Sequence, residues 1–170
     1  MTDILSDLSG GDKRSIGKAG QVVERILETP ALLADVVQGL TQADPVVRMR
    51  CADVAEKVSV VHPEWLRQHK QALLSYASRV QEKEVRWHMA QMLPRLELSP
   101  DERRKAIALL FTYLADTSQI VQTLSMQALF DMSECDSKLR RRVVPILEEA
   151  VANGGGATRS RAKKLLKKMR

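Results

Sequence analysis

The stretch Asp44-Pro45-Val46-Val47-Arg48-Met49-Arg50-Cys51-Ala52 decides the fold of this chain, because its pattern returns along the sequence. A turn with an acidic residue and proline is followed by Val-Arg and then by small residues. A period of 36 to 38 residues predicts stacked helical hairpins, each burying its apolar face against its neighbours. The equivalent positions of the four copies are Arg48, Arg86, Gln122 and Arg159.

Apolar residues recur at helical spacing through most of the remaining sequence, and no β-branched alternating stretch favours a strand. We therefore expect an all-α protein of about nine helices. Residues 1–11 are predicted to form a flexible lead-in, with Asp12 capping the first helix. Pro94 and Pro145 fall inside predicted helices and should kink them. The predicted helices span residues 12–28, 30–42, 45–61, 63–80, 83–97, 99–115, 118–133, 137–152 and 157–170.

The composition is that of an ordinary globular protein, with 44% hydrophobic residues and only 4% aromatic residues among 170. Two cysteines, Cys51 and Cys135, without a disulfide-rich pattern favour a reducing compartment. The sequence has no apolar run long enough to span a membrane, and its acidic start lacks the features of a signal peptide. We expect a cytoplasmic monomer that does not bind membranes.

The net charge of +6 is concentrated at one end of the chain. Residues 157–170 hold seven basic residues and no acidic one, whereas the rest holds 20 basic and 21 acidic residues. The basic balance therefore describes the last helix and not the whole surface.

The residues of the repeat resemble the HEAT-repeat family, and in particular small bacterial HEAT-repeat proteins of unassigned function. Asp44-Pro45-x-Val47-Arg48-x-x-Cys51-Ala52 carries the resemblance, and Val85-Arg86-x-x-Met89-Ala90 matches in part. The resemblance implies a right-handed α-α superhelix, or solenoid, of about four HEAT-like hairpins plus an N-terminal helix over residues 12–170. It also implies a binding scaffold without catalytic residues. The matching arginines of the family bond an acidic group near the adjacent turn, and here Asp44 and Glu84 are the candidates.

A stripe of residues on the second helices is predicted to line a concave groove, where such solenoids commonly bind partners. The stripe is polar and of mixed charge. Trp87, beside it, can be either an exposed anchor or a partly buried packing residue, and the sequence leaves both interpretations open. The candidate groove residues are Arg50, Trp87, His88, Gln91, Arg95 and Gln127.

The last helix supplies a candidate basic patch. A solvated cap is the default interpretation, because an end repeat needs a polar outer face. Binding of a polyanion or an acidic partner is the alternative. The patch consists of Arg159, Arg161, Lys163, Lys164, Lys167 and Lys168.

The sequence gives little support for catalysis. His62, His69 and His88 are scattered and lack metal-ligand spacing, and no Gly-rich phosphate loop occurs. We expect no catalytic residues, cofactor or metal, and a non-enzymatic protein-binding adaptor whose partner the sequence does not identify. The alternative is nucleic-acid binding by a solenoid similar to helical-repeat DNA glycosylases. Those enzymes use a catalytic aspartate, and Gln91 stands one turn after Trp87 where a carboxylate would be needed.

Overall fold

The computed structural model describes residues 3–169 and is all-helical there, with 77% helix and no strand in that range. This confirms the prediction of an all-α protein. Three short 3₁₀ segments add to the α-helices, at Pro30–Leu32, Pro63–His69 and Leu93–Arg95. The ten α-helices are α1 (Ile4–Asp7), α2 (Ala19–Glu28), α3 (Leu33–Gly39), α4 (Pro45–Val61), α5 (Lys70–Ala77), α6 (Lys83–Met92), α7 (Pro100–Tyr113), α8 (Gln119–Met132), α9 (Ser137–Asn153) and α10 (Gly156–Met169).

The chain divides into two compact units, Met1–Leu98 and Ser99–Arg170. In the first unit, α4 packs against α2, α3 and α6. In the second unit, α8 packs against α7, and α10 packs against both α8 and α9. Each unit thus builds its own core from neighbouring helices. The single solenoid domain over residues 12–170 stays a prediction.

Small and aliphatic side chains fill both cores, as the scarcity of aromatic residues requires. Ala52 and Ala90 are fully buried in the first unit, and Ala128 is 1% exposed in the second. An alanine at such a position lets neighbouring helices approach closely, so a larger side chain there must displace its neighbours.

Two helix starts follow the local sequence as predicted. The Asp44 carboxylate accepts a hydrogen bond from the Val46 amide at 2.8 Å, and Pro45 occupies the first helical position of α4. At α7, Ser99 and Glu102 form a capping box, with bonds of 3.3 Å and 2.8 Å between each side chain and the other residue's amide.

The N-terminal region differs most from the prediction. The helix expected over residues 12–28 begins only at Ala19, because Gly17 has a φ of 53°, which a right-handed helix cannot contain. Asp12 does not cap that helix but accepts a bond from the Arg14 amide at 2.8 Å. The predicted lead-in contains α1, and Leu8 after it is fully buried.

Proline positions explain a second difference. The helix predicted over residues 83–97 ends as an α-helix at Met92 and continues as the 3₁₀ segment that contains Pro94. Proline lacks the amide proton that the α-helical bond would need, so the backbone tightens there. Pro145, in contrast, lies inside α9.

Candidate partner-binding surfaces

Three of the four equivalent positions of the repeat make the same local contact, two of them in the first unit and one in the second. Each side chain donates a hydrogen bond to the main-chain carbonyl six residues earlier, in the turn that precedes its helix. The contact fastens each second helix to its turn, and glutamine reproduces it in the third copy. The three bonds are Arg48 to Gln42 at 2.7 Å, Arg86 to Val80 at 2.8 Å, and Gln122 to Asp116 at 2.5 Å.

Asp44 was the predicted acidic partner of Arg48, and this prediction was wrong. The carboxylate that bonds Arg48 belongs to Glu82, at the start of the next hairpin's second helix. Arg48 Nε donates to Glu82 Oε1 at 2.7 Å, and Nη2 bonds the same oxygen. Burial raises the pKa of Glu82, but hydrogen bonds from the local backbone and from Arg48 outweigh it and hold that pKa below its ordinary value. Glu84, the other predicted partner, instead lies 3.7 Å from the Lys13 ammonium.

Arg50 was predicted to face a partner in the groove, but its side chain is buried, with 2% exposure. Its guanidinium donates to five main-chain carbonyls of the segment that precedes α2: Nη1 is shared among three of them, and Nε and Nη2 bond one each. The segment therefore lies against α4 through its backbone. The acceptors are the carbonyls of Leu8 (3.0 Å), Ser9 (3.1 Å), Gly10 (2.7 Å), Asp12 (3.4 Å) and Ser15 (3.1 Å).

Glycine is required where this segment passes the guanidinium. A Cβ atom on Gly17 would lie 2.9 Å from Arg50 Cζ, closer than van der Waals contact allows. The positive φ of Gly17 disfavours other residues independently.

Charged residues of α4 face the end of α6 and its 3₁₀ extension, and we name this group the α4–α6 surface. It comprises Asp53, Glu56, Lys57, His88 and Arg95. Arg95 Nη1 lies 2.5 Å from Glu56 Oε1, and Lys57 Nζ lies 2.6 Å from Asp53 Oδ2. Each cation is thus paired with a largely buried carboxylate. The Asp53 side chain is 9% exposed and the Glu56 side chain is 12% exposed.

His88 is the titratable group of this surface whose environment is most unusual. Its Nε2 atom lies 4.0 Å from Asp53 Oδ1, and its buried Nδ1 atom has no hydrogen-bond partner among residues 3–169. Burial lowers the pKa of His88, while the nearby carboxylates of Asp53 and Glu56 oppose that shift. The imidazole is therefore neutral at neutral pH.

Trp87 and Gln91 lie beside His88 and are half-buried. The Trp87 ring meets the His88 ring edge-on, with 5.7 Å between centroids, and Gln91 donates to the Trp87 carbonyl at 3.4 Å. Trp87 is therefore neither fully buried nor fully exposed.

Gln127, the remaining groove candidate, lies on α8 of the second unit. Its amide donates to Asp131 at 2.7 Å and accepts from Arg161 of α10 at 3.0 Å. The structure therefore brings Trp87, His88, Gln91 and Arg95 together, buries Arg50, and places Gln127 in the other unit. The six predicted basic-patch side chains are all exposed on α10.

The Cys51 thiol does not resemble an activated nucleophile. Burial raises the pKa of the Cys51 thiol to about 12, so the thiol stays protonated at neutral pH. Cys135 is exposed. Among residues 3–169, no three histidine, cysteine, aspartate or glutamate side chains gather as a metal site would require. The polar groups found here can hydrogen-bond and attract charge, which is the chemistry of binding.

Comparison with family models, curated proteins and solved structures finds no match to the chain. Within the described residues, no helix is both long and apolar enough to cross a bilayer.

Proposed function

We propose that this protein is a HEAT-like solenoid that acts as a protein-binding scaffold, with its partner on the face formed by the second helices. The repeated contact at Arg48, Arg86 and Gln122 supports equivalent hairpins, as does their sequence period of 36 to 38 residues. Solenoids of this kind use such faces to bind partners.

The observation that carries the proposal is the turn contact repeated at Arg48, Arg86 and Gln122, because equivalent hairpins present their second helices on one face. Arg50 is not available to a partner on this face, because its guanidinium already bonds main-chain carbonyls of residues 8–15. We therefore assign the partner to the α4–α6 surface, formed by α4 and by α6, which packs against it.

Within this face, the accessible edge around Trp87 is the best place for a partner to anchor. A half-buried tryptophan costs little entropy to fix and offers a large contact area. Gln91 beside it supplies a hydrogen-bonding amide, and the ion pair of Lys57 with Asp53 forms a polar rim. This combination of an aromatic anchor and a polar rim is typical of protein interfaces.

Site-specific photo-crosslinking tests the proposal. A photoreactive amino acid at Gln91 of the full chain should capture a discrete partner in the source cells, identified by mass spectrometry. The matched probe at Ala72, which is exposed on α5, should not capture it. Trp87→Ala, introduced together with the Gln91 probe, should remove the adduct.

Thermal unfolding of each variant checks that the variant is still folded. If Gln91 and Ala72 capture the same proteins, or if Trp87→Ala leaves the adduct unchanged in a folded protein, the face is not the binding site and the proposal is wrong.

A further inference from the structure

The exposed side of α10 is covered by basic side chains in two rows. Successive residues of an α-helix are 100° apart around its axis, so the two rows lie about a third of a turn apart, at the two edges of the exposed side. The opposite side, with Thr158, Ala162 and Leu165, is buried. The first row is Arg159, Lys163 and Lys167, and the second is Arg161, Lys164 and Lys168, all of them exposed.

No carboxylate of residues 3–169 forms an ion pair with any of these six cations. Within the same range, Arg161 bonds only the neutral amide of Gln127 at 3.0 Å. Other helices of the chain do pair their surface charges, as Lys57 does with Asp53 four residues earlier at 2.6 Å. If α10 were only a solvated cap, ion pairs of this kind would make it more stable, because like charges at i and i+4 destabilise a helix by about 0.2–0.5 kcal/mol per pair.

The hairpin partner of α10 extends the positive surface. Arg140 near the start of α9 donates to the Met169 carbonyl at the end of α10, which places the two basic ends side by side. Lys138 and Arg141 are exposed on the same first turns of α9. Glu134 lines a small cavity together with Lys168, and Glu149 of α9 lines another together with Thr158, so acidic groups partly offset the field at both ends of α10.

The polyanion that best fits this surface is nucleic acid. A bilayer would need an apolar face, but Ala162 and Leu165 are already buried with 0% and 2% exposure. A protein interface would need aromatic or aliphatic anchors, yet Ser160 lies between the rows and only the small Ala157 lies within the second row. Phosphate backbones need only cations, and a groove about 12 Å wide admits a helix with cations on both flanks.

We propose that the α10 surface binds the phosphate backbone of duplex nucleic acid without sequence preference. Arg159 and Lys168 are nine residues apart, so the rows run roughly 14 Å along the helix axis and reach several phosphates. The inference does not depend on the scaffold proposal, because it concerns a different surface in the second unit.

The test is fluorescence anisotropy of the full chain with labelled duplexes of two unrelated sequences, about 20 base pairs long, between about 50 and 200 mM salt. Both duplexes should bind equally. The logarithm of the binding constant should fall with the logarithm of salt concentration with a slope of roughly −4, as expected for four to five phosphate contacts. Arg159→Gln/Lys163→Gln/Lys167→Gln should weaken binding at least about tenfold and reduce the slope by roughly 3.

A matched control removes the same charge elsewhere. Arg14→Gln/Lys83→Gln/Lys105→Gln neutralises three exposed cations outside α10 and should change binding less than about twofold. Equal weakening by both triple variants would overturn the proposal, because diffuse charge and not α10 would then be responsible. Failure to bind at low salt would also overturn it, as would equally tight binding to polyglutamate or to vesicles containing phosphatidylserine.

Discussion

The α4–α6 surface and the exposed side of α10 both carry many charged residues, but they differ in whether the cations form ion pairs. On the first, Lys57 and Arg95 each meet a carboxylate at 2.6 Å and 2.5 Å. On the second, the six cations meet none among residues 3–169. The paired groups are partly buried, whereas the unpaired cations are exposed.

The difference indicates two kinds of surface. Paired charges beside a half-buried tryptophan present directional groups with little net field, which suits selective recognition of a protein. Unpaired cations give a long-range field without direction, which suits a regular polyanion. Since water screens exposed charges strongly, substitutions in α10 should change stability little, while those beneath the first surface should change it greatly.

The largest contrast is expected between two arginines that occupy equivalent places in the repeat. Arg50→Ala should lower the free energy of unfolding by about 3 kcal/mol, because it leaves buried carbonyls without their donor and opens a cavity. Arg161→Ala in α10 should cost less than about 0.5 kcal/mol. Urea unfolding of both variants measures the difference. A similar small cost for both would mean that the contacts of Arg50 with residues 8–17 contribute little.

The next contrast uses one substitution at two alanines. Ala90→Leu should destabilise the first unit by about 1–3 kcal/mol, since Ala90 is fully buried and the added atoms must displace packed neighbours. Ala157→Leu, on the exposed side of α10, should stay within about 0.5 kcal/mol of the parent. Thermal melts that coincide for Ala90→Leu and the parent would show that the helices around Ala90 are not tightly packed.

Sequence alone predicted the features that depend on local chemistry. The Asp44-Pro45 turn before α4 and the helix start predicted at residue 99 each depend on residues within four positions of one another, so their physics is visible in the chain. The basic side chains of α10 were predicted for the same reason, because they lie close together in the sequence. Apolar periodicity then predicted the helices themselves, while their ends shifted wherever a proline or a positive φ intervened.

Contacts between distant residues were not predictable in the same way. Arg50 bonds Leu8, which is 42 residues away, and Arg48 bonds Glu82, which is 34 residues away. The repeat placed Arg50 on the inner stripe, but it gave no sign that the chain before α2 folds over that stripe. The glycines at 10, 11 and 17 were the available signal, because positive φ at all three bends this segment around the guanidinium.

A smaller effect should appear on changing pH. Burial lowers the pKa of His88 below its ordinary value of 6.5, so the folded protein binds fewer protons than the unfolded chain as pH falls. This contribution to stability is therefore complete above about pH 6.5 and is lost progressively below it. Partial burial lowers the pKa of His69 in the same direction.

Urea unfolding at about pH 7.5 and about pH 5.5 checks this expectation. His88→Gln should reduce the loss of stability on acidification, and His69→Gln should reduce it further in the double variant. An unchanged pH dependence in the double variant would show that other groups dominate. Variants of the α10 cations should leave this dependence as it is, because lysine and arginine do not titrate in this range.

The smallest expected change separates stability from binding on α10. Lys163 lies four residues from both Arg159 and Lys167, so Lys163→Glu replaces two repulsive pairs with two attractive ones. We expect the variant to be more stable by about 0.8 kcal/mol, the lower end for two lost repulsive pairs and two gained attractive pairs, measured by urea unfolding at low salt. The gain should vanish in high salt. Lys105→Glu on α7 is the control for a charge reversal outside α10. If the row exists to meet phosphates, the Lys163→Glu protein should bind duplex DNA more weakly although it is the more stable protein. A variant that gained stability and kept full affinity would show instead that the row is only a solvated cap.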